Sequence, residues 1–526
     1  MFKFFDLCRN RTHTRESENF NMANKEITLF YPLINETPSY PPLGLLAISA
    51  PLLENGYQVN IINANIEDNF EERLLALSKK SLCLGISLIL GNQVKSGYRV
   101  TCLIKKHLPN LPIVWGGWFP TLMYEQILQD KKIDFIIRGQ GELAFLELVK
   151  SLENKEDFKK IPSLVYKKGQ EIKVNEIQFI KDIKPINRKA YDLIPVERHI
   201  QKSFDGQSRI LGYVSSIGCY GRCAFCCVPL TFGRNRYYAL KAEQVVDDLK
   251  YLVSRFKVNR INILDFNFFI HRRRAKEILK SICEEGLNIT WEANIRVDQV
   301  LHLDEELLLY MKKSGLDLLY LGAESGSNKI LDLIQKDITF SDIERCNAIL
   351  KKYDIRPSYS FIVGMMKEDG FKDLEKTFDL VLRLKNIHPN CLISIHHYSP
   401  WPGTYGFEMA KEHGFKPPLN LLEWTKFKTE EVVVPWTNLR YEMKVVRFFQ
   451  YYLEILYPPF STLKLVKKFK LEFVYNFLKL TTSLRIKYKF YYLDLIWGLI
   501  LIYKLLKKCY KKIKYYFLFR GYHESC

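Results

Sequence analysis

Three cysteines stand at a spacing suited to iron. Cys219, Cys223 and Cys226 form a Cys-x3-Cys-x2-Cys pattern in SSIGCYGRCAFCCVP, directly after an apolar, strand-like run. Three thiolates hold three irons of a cubane 4Fe-4S cluster and leave the fourth iron open to a reactant, whereas electron-transfer clusters usually have four protein ligands. Structural zinc takes four ligands, and no second Cys-x2-Cys or spaced histidine pair lies nearby. Cys227 adjoins Cys226, is expected to point away from it, and is not counted as a ligand. The other cysteines are scattered singly, which is no disulfide framework.

Further candidates follow in order. Asp265 and Asn267 lie in LDFNFF (264–269), a pattern that by itself is as readily a turn. Arg296 lies in ANIRVD, where a plain ion pair is the competing reading. Glu324 and Ser325 are polar among the small residues of LGAESGS (321–327), and YSPWPGT (398–404) fits a tight turn equally well. Stepping outward from these residues, each follows a short apolar run, and an amphipathic stretch intervenes before the next. The runs are YVSSIG, INILDFNF, ITWEANIR, LDLLYLGAES, SYSFIVGM and CLISIHHYSP. Six strands with intervening helices predict a (β/α)6 partial TIM barrel over 207–410, with its chemistry at the carboxyl ends of the strands.

A separate strand-helix alternation precedes it. From ITLFYPL to LAFLELVKSL, short apolar runs between helical stretches predict a parallel, Rossmann-like α/β domain over 25–152. Its ligand loops should leave the carboxyl ends of the strands, where LGN (90–92), GGW (116–118) and RGQGE (138–142) allow close backbone approach. Residues 153–206 read as a linker with a small hairpin, LVYKKGQEIKV, and residues 411–526 as a basic helical extension. Residues 1–24 are polar and aperiodic and are expected to be a disordered leader.

With Phe225 just before the last cysteine, the triplet resembles the signature of the radical S-adenosylmethionine superfamily. The resemblance implies that the open iron binds S-adenosylmethionine and that a reduced cluster cleaves it to a 5′-deoxyadenosyl radical. It assigns cofactor contacts to Phe225, to Asp265 and Asn267 near the methionyl amine, to Arg296 on the carboxylate, and to Glu324 and Ser325. The usual Gly-x-Pro-x-Glu continuation of the fifth strand is altered to GMMKED. The preceding domain resembles the cobalamin-binding domain of one branch of this family. It assigns corrin contacts to Leu43, Gly44, Ser87, Gly91, Asn92, Gly116, Gly117, Gly139 and Glu142. The Asp-x-His-x-x-Gly motif that supplies an axial histidine to cobalt in many cobalamin domains is absent, which leaves that ligand open. Methylthiotransferases share the barrel signature but add three amino-terminal cysteines, and here that region offers only Cys83 and Cys102.

The implied activity is methylation of an unactivated carbon: the adenosyl radical abstracts hydrogen, methylcobalamin delivers the methyl group, and a second S-adenosylmethionine regenerates it. A cobalamin-dependent oxidoreductase or cyclase, or a corrinoid- or cluster-binding protein without turnover, are the alternatives. The resemblance also implies an electron donor such as flavodoxin or ferredoxin. Small molecule, lipid and peptide substrates all stay open.

Composition bounds the rest. At 526 residues, 47% hydrophobic and 26% charged, the chain has the size of two or three globular domains. No apolar stretch of signal-peptide type opens it, so a reducing cytoplasm is expected. Between Ser461 and Cys526 fifteen Lys and Arg face three Asp and Glu, more than half of the formal +20. The run LIWGLILIY (495–503) is too short to span a bilayer. Two readings of this tail stand: a cap on the barrel, and peripheral contact with the inner membrane surface. Nucleic acid is disfavoured, since no RNA-binding module accompanies the charge.

Overall fold

The computed structural model describes residues 25–489, apart from 35–39, 204–205, 366, 368–370, 429–431, 433, 438, 459–462, 464–465 and 468–469. The leader over 1–24 and the run at 495–503 lie outside the described residues.

The amino-terminal runs form β1 (Glu26–Tyr31), β2 (Gln58–Asn63), β3 (Ser81–Ser87), β4 (Ile113–Gly116) and β5 (Phe135–Ile137). They are parallel, in the order β2-β1-β3-β4-β5. Four successive residues of β1, Ile27 to Phe30, are buried, the mark of a strand covered on both faces. Chain order reverses at β1, so a crevice opens beyond the carboxyl ends there. The expected hairpin forms as β6 (Leu164–Lys168) and β7 (Glu171–Val174). It is no free connector, because β6 pairs antiparallel with β5 and extends the sheet.

The second sheet begins with the short antiparallel edge β8 (Gln201–Lys202) beside β9 (Arg209–Tyr213). β12 (Arg260–Ile263), β13 (Thr290–Ile295), β14 (Leu316–Glu324), β15 (Pro357–Val363) and β16 (Leu392–His397) then continue it in sequence order, all parallel to β9. These are the six strands of the partial barrel. The connecting helices are amphipathic: Ala242–Phe256 buries Val245, Val246, Leu249 and Leu252 at helical spacing. One departure matters. The run YVSSIG is not a single strand, because β9 stops at Tyr213 and the chain turns into β10 (Ser216–Cys219). β10 pairs only with β11 (Arg236–Ala239), antiparallel, so the cysteines sit on a hairpin outside the barrel sheet.

Helix Leu439–Leu456 covers the open edge of the barrel. Gln450 Nε2 donates to the Ile395 carbonyl of β16 at 3.2 Å, and Phe449 stacks on Phe378 with ring centroids 3.8 Å apart. Helix Glu472–Lys487 packs back on it, through Tyr475 Oη to the Ile455 carbonyl at 2.9 Å and Arg485 to Tyr452 Oη at 3.1 Å. No helix among the described residues is long and apolar enough to cross a membrane.

Candidate active site

Cys219, Cys223 and Cys226 are half-buried at the tip of the β10–β11 hairpin, while Cys227 beside them is buried. The Gly221 amide donates to Cys219 Sγ at 3.3 Å. Gly221 lies between Cys219 and Cys223: a Cβ there would stand 3.2 Å from an Arg296 terminal nitrogen, 3.4 Å from Cys219 Sγ and 3.8 Å from Cys223 Sγ, so the turn packs directly on both sulfurs. Among the described residues no three His, Cys, Asp or Glu side chains converge on a point that would hold one metal ion. Thiolates on a single zinc lie about 2.3 Å from it, whereas a cubane takes its thiolates at separate corner irons. Three free thiols on one loop are the donor set that three corners of a cubane need. Burial raises the Cys219 thiol and pushes Cys226 up to about 12, so in the metal-free chain these stay thiols until iron displaces their protons.

Two clamps hold this hairpin. Asp265, only 1% exposed, accepts from the Ser215 and Ser216 amides at 2.6 and 3.0 Å, and from their hydroxyls at 2.6 and 2.5 Å. Burial raises its carboxyl and these donors oppose the shift. Asp265 is therefore engaged with the turn between β9 and β10 and acts by positioning the cysteine hairpin. The second clamp is the segment 334–337: the Ala224 amide donates to the Ile334 carbonyl at 2.9 Å, and Arg222 pairs with Asp337 at 3.0 Å.

Arg296 is also committed. Its Nε donates to Asp298 at 2.9 Å, one terminal nitrogen donates to the Lys336 carbonyl at 2.8 Å, and the other lies 3.5 Å from Cys223 Sγ. Nε and one terminal nitrogen are thus partnered by protein, and the other terminal nitrogen stands beside the cysteine loop. Lys336, which the sequence did not single out, is a second cation beside the cysteines, and it is buried. Its Nζ lies 2.7 Å from Glu324 Oε1 and 5.9 Å from the centre of the Phe225 ring. Burial opposes its charge, yet Glu324 and the Cys223 sulfur hold its pKa above the ordinary lysine value. The only hint in sequence was a lysine between two polar residues, Gln335 and Asp337, which both adopt left-handed backbone here. Ser325 is buried and accepts from the Ser327 amide at 3.1 Å, closing the loop after β14. Asn267, 1% exposed beyond the carboxyl end of β12, has both side-chain amide atoms without a partner. A buried amide left unpaired is costly and fits a bound polar ligand.

A cavity of about 360 Å³ opens at the carboxyl ends of the first sheet. Seven of the nine predicted corrin contacts line it: Leu43, Gly44, Ser87, Gly116, Gly117, Gly139 and Glu142. Gly91 and Asn92 do not, and the Asn92 side chain donates to the Ile34 carbonyl at 3.1 Å. Desolvation raises the Glu142 carboxyl. Gly117 has a φ of 97°, and a Cβ there would fall 2.3 Å from the Leu88 carbonyl oxygen. Gln140, missed in sequence within RGQGE, lines the cavity with both side-chain polar atoms buried and unpartnered. No histidine lines it among the described residues. Val214, Ile217, Phe232 and Leu240 close the cavity from the barrel side, so both domains build it. Backbone glycines, apolar walls and an unpaired amide suit a large ligand with carboxamide edges, as a corrin has.

Trp118 follows Gly117 at the same junction and meets aromatic rings from three other segments. Its ring centroid lies 6.4 Å from that of Phe232, 5.8 Å from Phe266 and 5.9 Å from Trp401.

Comparison with known proteins agrees with this division. The radical SAM superfamily pattern matches residues 213–381 and the B12 binding domain pattern residues 35–149. A Pyrococcus horikoshii protein named as an uncharacterized methyltransferase is 30% identical over 75% of this chain and 83% of its own length. An anaerobic magnesium-protoporphyrin IX monomethyl ester cyclase from Synechocystis is 27% identical over 60% of this chain and 63% of its own, so the chain spans less than two thirds of that relative. Among solved structures, the radical S-adenosylmethionine methyltransferase TsrM from Kitasatospora setae, with cobalamin and a 4Fe-4S cluster bound, superimposes with a TM-score of 0.61. It is 16% identical and covers 75% of this chain and 79% of its own. A three-cysteine hairpin and a glycine-lined cavity walled by both domains thus meet at one junction, and the chain belongs to the radical SAM superfamily as a cobalamin-dependent enzyme that uses a 4Fe-4S cluster and S-adenosylmethionine.

Proposed function

We propose that this enzyme transfers a methyl group to an unactivated carbon. The observation that carries the reading is the shared cavity, whose walls come from both the glycine loops of the first domain and the base of the cysteine hairpin. The relative named as a methyltransferase supports it. When bound, the cluster and S-adenosylmethionine supply a hydrogen-abstracting radical and cobalamin supplies a transferable methyl group.

The chain's own residues then have separable tasks. Cys219, Cys223 and Cys226 would hold three irons, with the Gly221 amide donating to Cys219 Sγ. Asp265 and the 334–337 segment fix the hairpin and so hold the three cysteines in place. Glu324, Lys336 and Asn267 present an acid, a cation and an amide for the polar parts of S-adenosylmethionine. Gln140, Gly116, Gly117 and Gly139 would hold the corrin by backbone approach and one amide. Trp118, Phe232, Phe266 and Trp401 keep water from the junction where a radical would be quenched. The reading includes a flavodoxin- or ferredoxin-type electron donor and a reduced cytoplasm.

The test uses the anaerobically reconstituted enzyme, a chemical reductant, a cell extract as substrate source and S-adenosylmethionine with a deuterated methyl group. Methyl transfer yields 5′-deoxyadenosine, S-adenosylhomocysteine and a labelled product. Sustained 5′-deoxyadenosine without S-adenosylhomocysteine would overturn it in favour of a redox or cyclising reaction, the reading that the cyclase relative favours.

A further inference from the structure

Helix Glu472–Lys487 leaves a row of large apolar side chains uncovered. Phe473 is 85% exposed, Phe477 58%, Leu480 59%, Leu484 47% and Tyr488, at the helix end, 70%. Their spacing of four, three, four and four residues sets them along one narrow stripe of the helix. Scattered exposed hydrophobics are ordinary, but an aligned stripe marks a surface that meets something apolar. The opposite side of the helix already has its neighbour in Leu439–Leu456, through Tyr475 and Arg485.

Charge decides among the occupants. From Ser461 to Lys489 the chain has eight Lys and Arg and one acidic residue, Glu472. A second copy docked stripe to stripe would bring these cations together. A nucleic acid would meet the charge but not the row of Phe and Leu. An anionic bilayer satisfies both, taking the apolar stripe below its headgroups and the lysines among them. The segment beyond Lys489 has the same character, with seven Lys and Arg, two acidic residues and many aromatic side chains between residues 490 and 526.

The placement gives this surface a direction. Lys489 pairs at 3.3 Å with Glu375, near the start of helix Phe371–Ile387, which follows the carboxyl end of β15. Trp436 donates to the Gly364 carbonyl at that same end of the barrel, at 3.3 Å. The stripe therefore runs up the side of the barrel and finishes at its mouth.

We propose that the 473–488 stripe is a peripheral docking surface for an anionic phospholipid bilayer, seating the barrel by its flank, with the rim of the mouth at one end of the contact. The test is flotation of the full-length, reconstituted enzyme with vesicles of phosphatidylcholine alone or mixed with phosphatidylglycerol. The expected result is flotation with the mixed vesicles, weak flotation with phosphatidylcholine, and loss of part of the binding at high salt. Phe473→Ser/Phe477→Ser/Leu480→Ser should weaken partitioning by on the order of tenfold or more, and Lys479→Gln/Lys487→Gln by less. Iron content and S-adenosylmethionine cleavage should match the parent chain in both. Should the triple variant lose iron, Phe473→Ser alone replaces it. The proposal is overturned if the parent chain does not float, if flotation ignores the stripe, or if the stripe substitutions only convert a dimer to a monomer. None of these readouts involves methyl transfer, so this proposal and the functional reading fail separately.

Discussion

The cysteine hairpin and the glycine-lined cavity face the same junction but are built on opposite principles. The hairpin is a site of side chains: three thiols, a buried Lys336–Glu324 pair, a committed Arg296 and a fully engaged Asp265. The cavity is a site of backbone and shape, where glycines replace side chains and one unpaired amide marks the polar edge. A small, highly charged cluster needs specific ligands at fixed corners. A large, mostly neutral macrocycle needs room and close walls.

This contrast breaks first at Cys223→Ala. Removing one of three ligands should abolish the cluster absorbance and lower S-adenosylmethionine cleavage by about a thousandfold or more, while cobalamin added to the variant still binds, as read from cobalt content. Loss of cobalt together with iron would show that the two sites do not assemble independently. Gly117→Val is the reciprocal test. Its Cβ would collide with the Leu88 carbonyl at 2.3 Å and its backbone would be forced to a φ of 97°. A cost of about 2 kcal/mol or more in stability and a loss of bound cobalamin are expected, with the iron content kept. Denaturant melts and metal analysis check both halves.

The smallest effect lies at the exposed edge of the hairpin clamp. The hydrogen bond and charge of Arg222 hold the Asp337 carboxyl below its ordinary range. A depressed folded-state pKa contributes stability above the unfolded value, near pH 3.9, and loses it as the pH falls through the folded value. Asp337→Asn should therefore lower the melting temperature slightly at neutral pH, less at high salt, and the difference should vanish in acid. A difference that grows as the pH falls would contradict the pairing.

Legibility followed the same divide. The three cysteines were readable because ligand spacing within one loop survives any fold, and the two α/β units were readable from strand-length apolar runs between helices. Arg296 was readable as a cation near the site, but its role was not, since Asp298, the Lys336 carbonyl and Cys223 occupy it only after β13, the 334–337 segment and the hairpin come together. The hold of Asp265 on the cysteine hairpin was hidden for the same reason: its hydroxyl and amide donors lie fifty residues away in sequence. Lys336 and Gln140 carried almost no signal, because burial, not residue type, makes a lysine or an amide significant.

The sequence by itself determined the cysteine triplet and its spacing, the order of the two domains and the glycine loops, since local spacing and backbone freedom are properties of short segments. Only the tertiary structure decided which charges stand beside the cysteines, that the hairpin leaves the barrel sheet, that Gly91 and Asn92 fall outside the cavity, and that one helix keeps an apolar stripe uncovered. Those outcomes depend on which surfaces meet and which remain in water, and no local pattern encodes that.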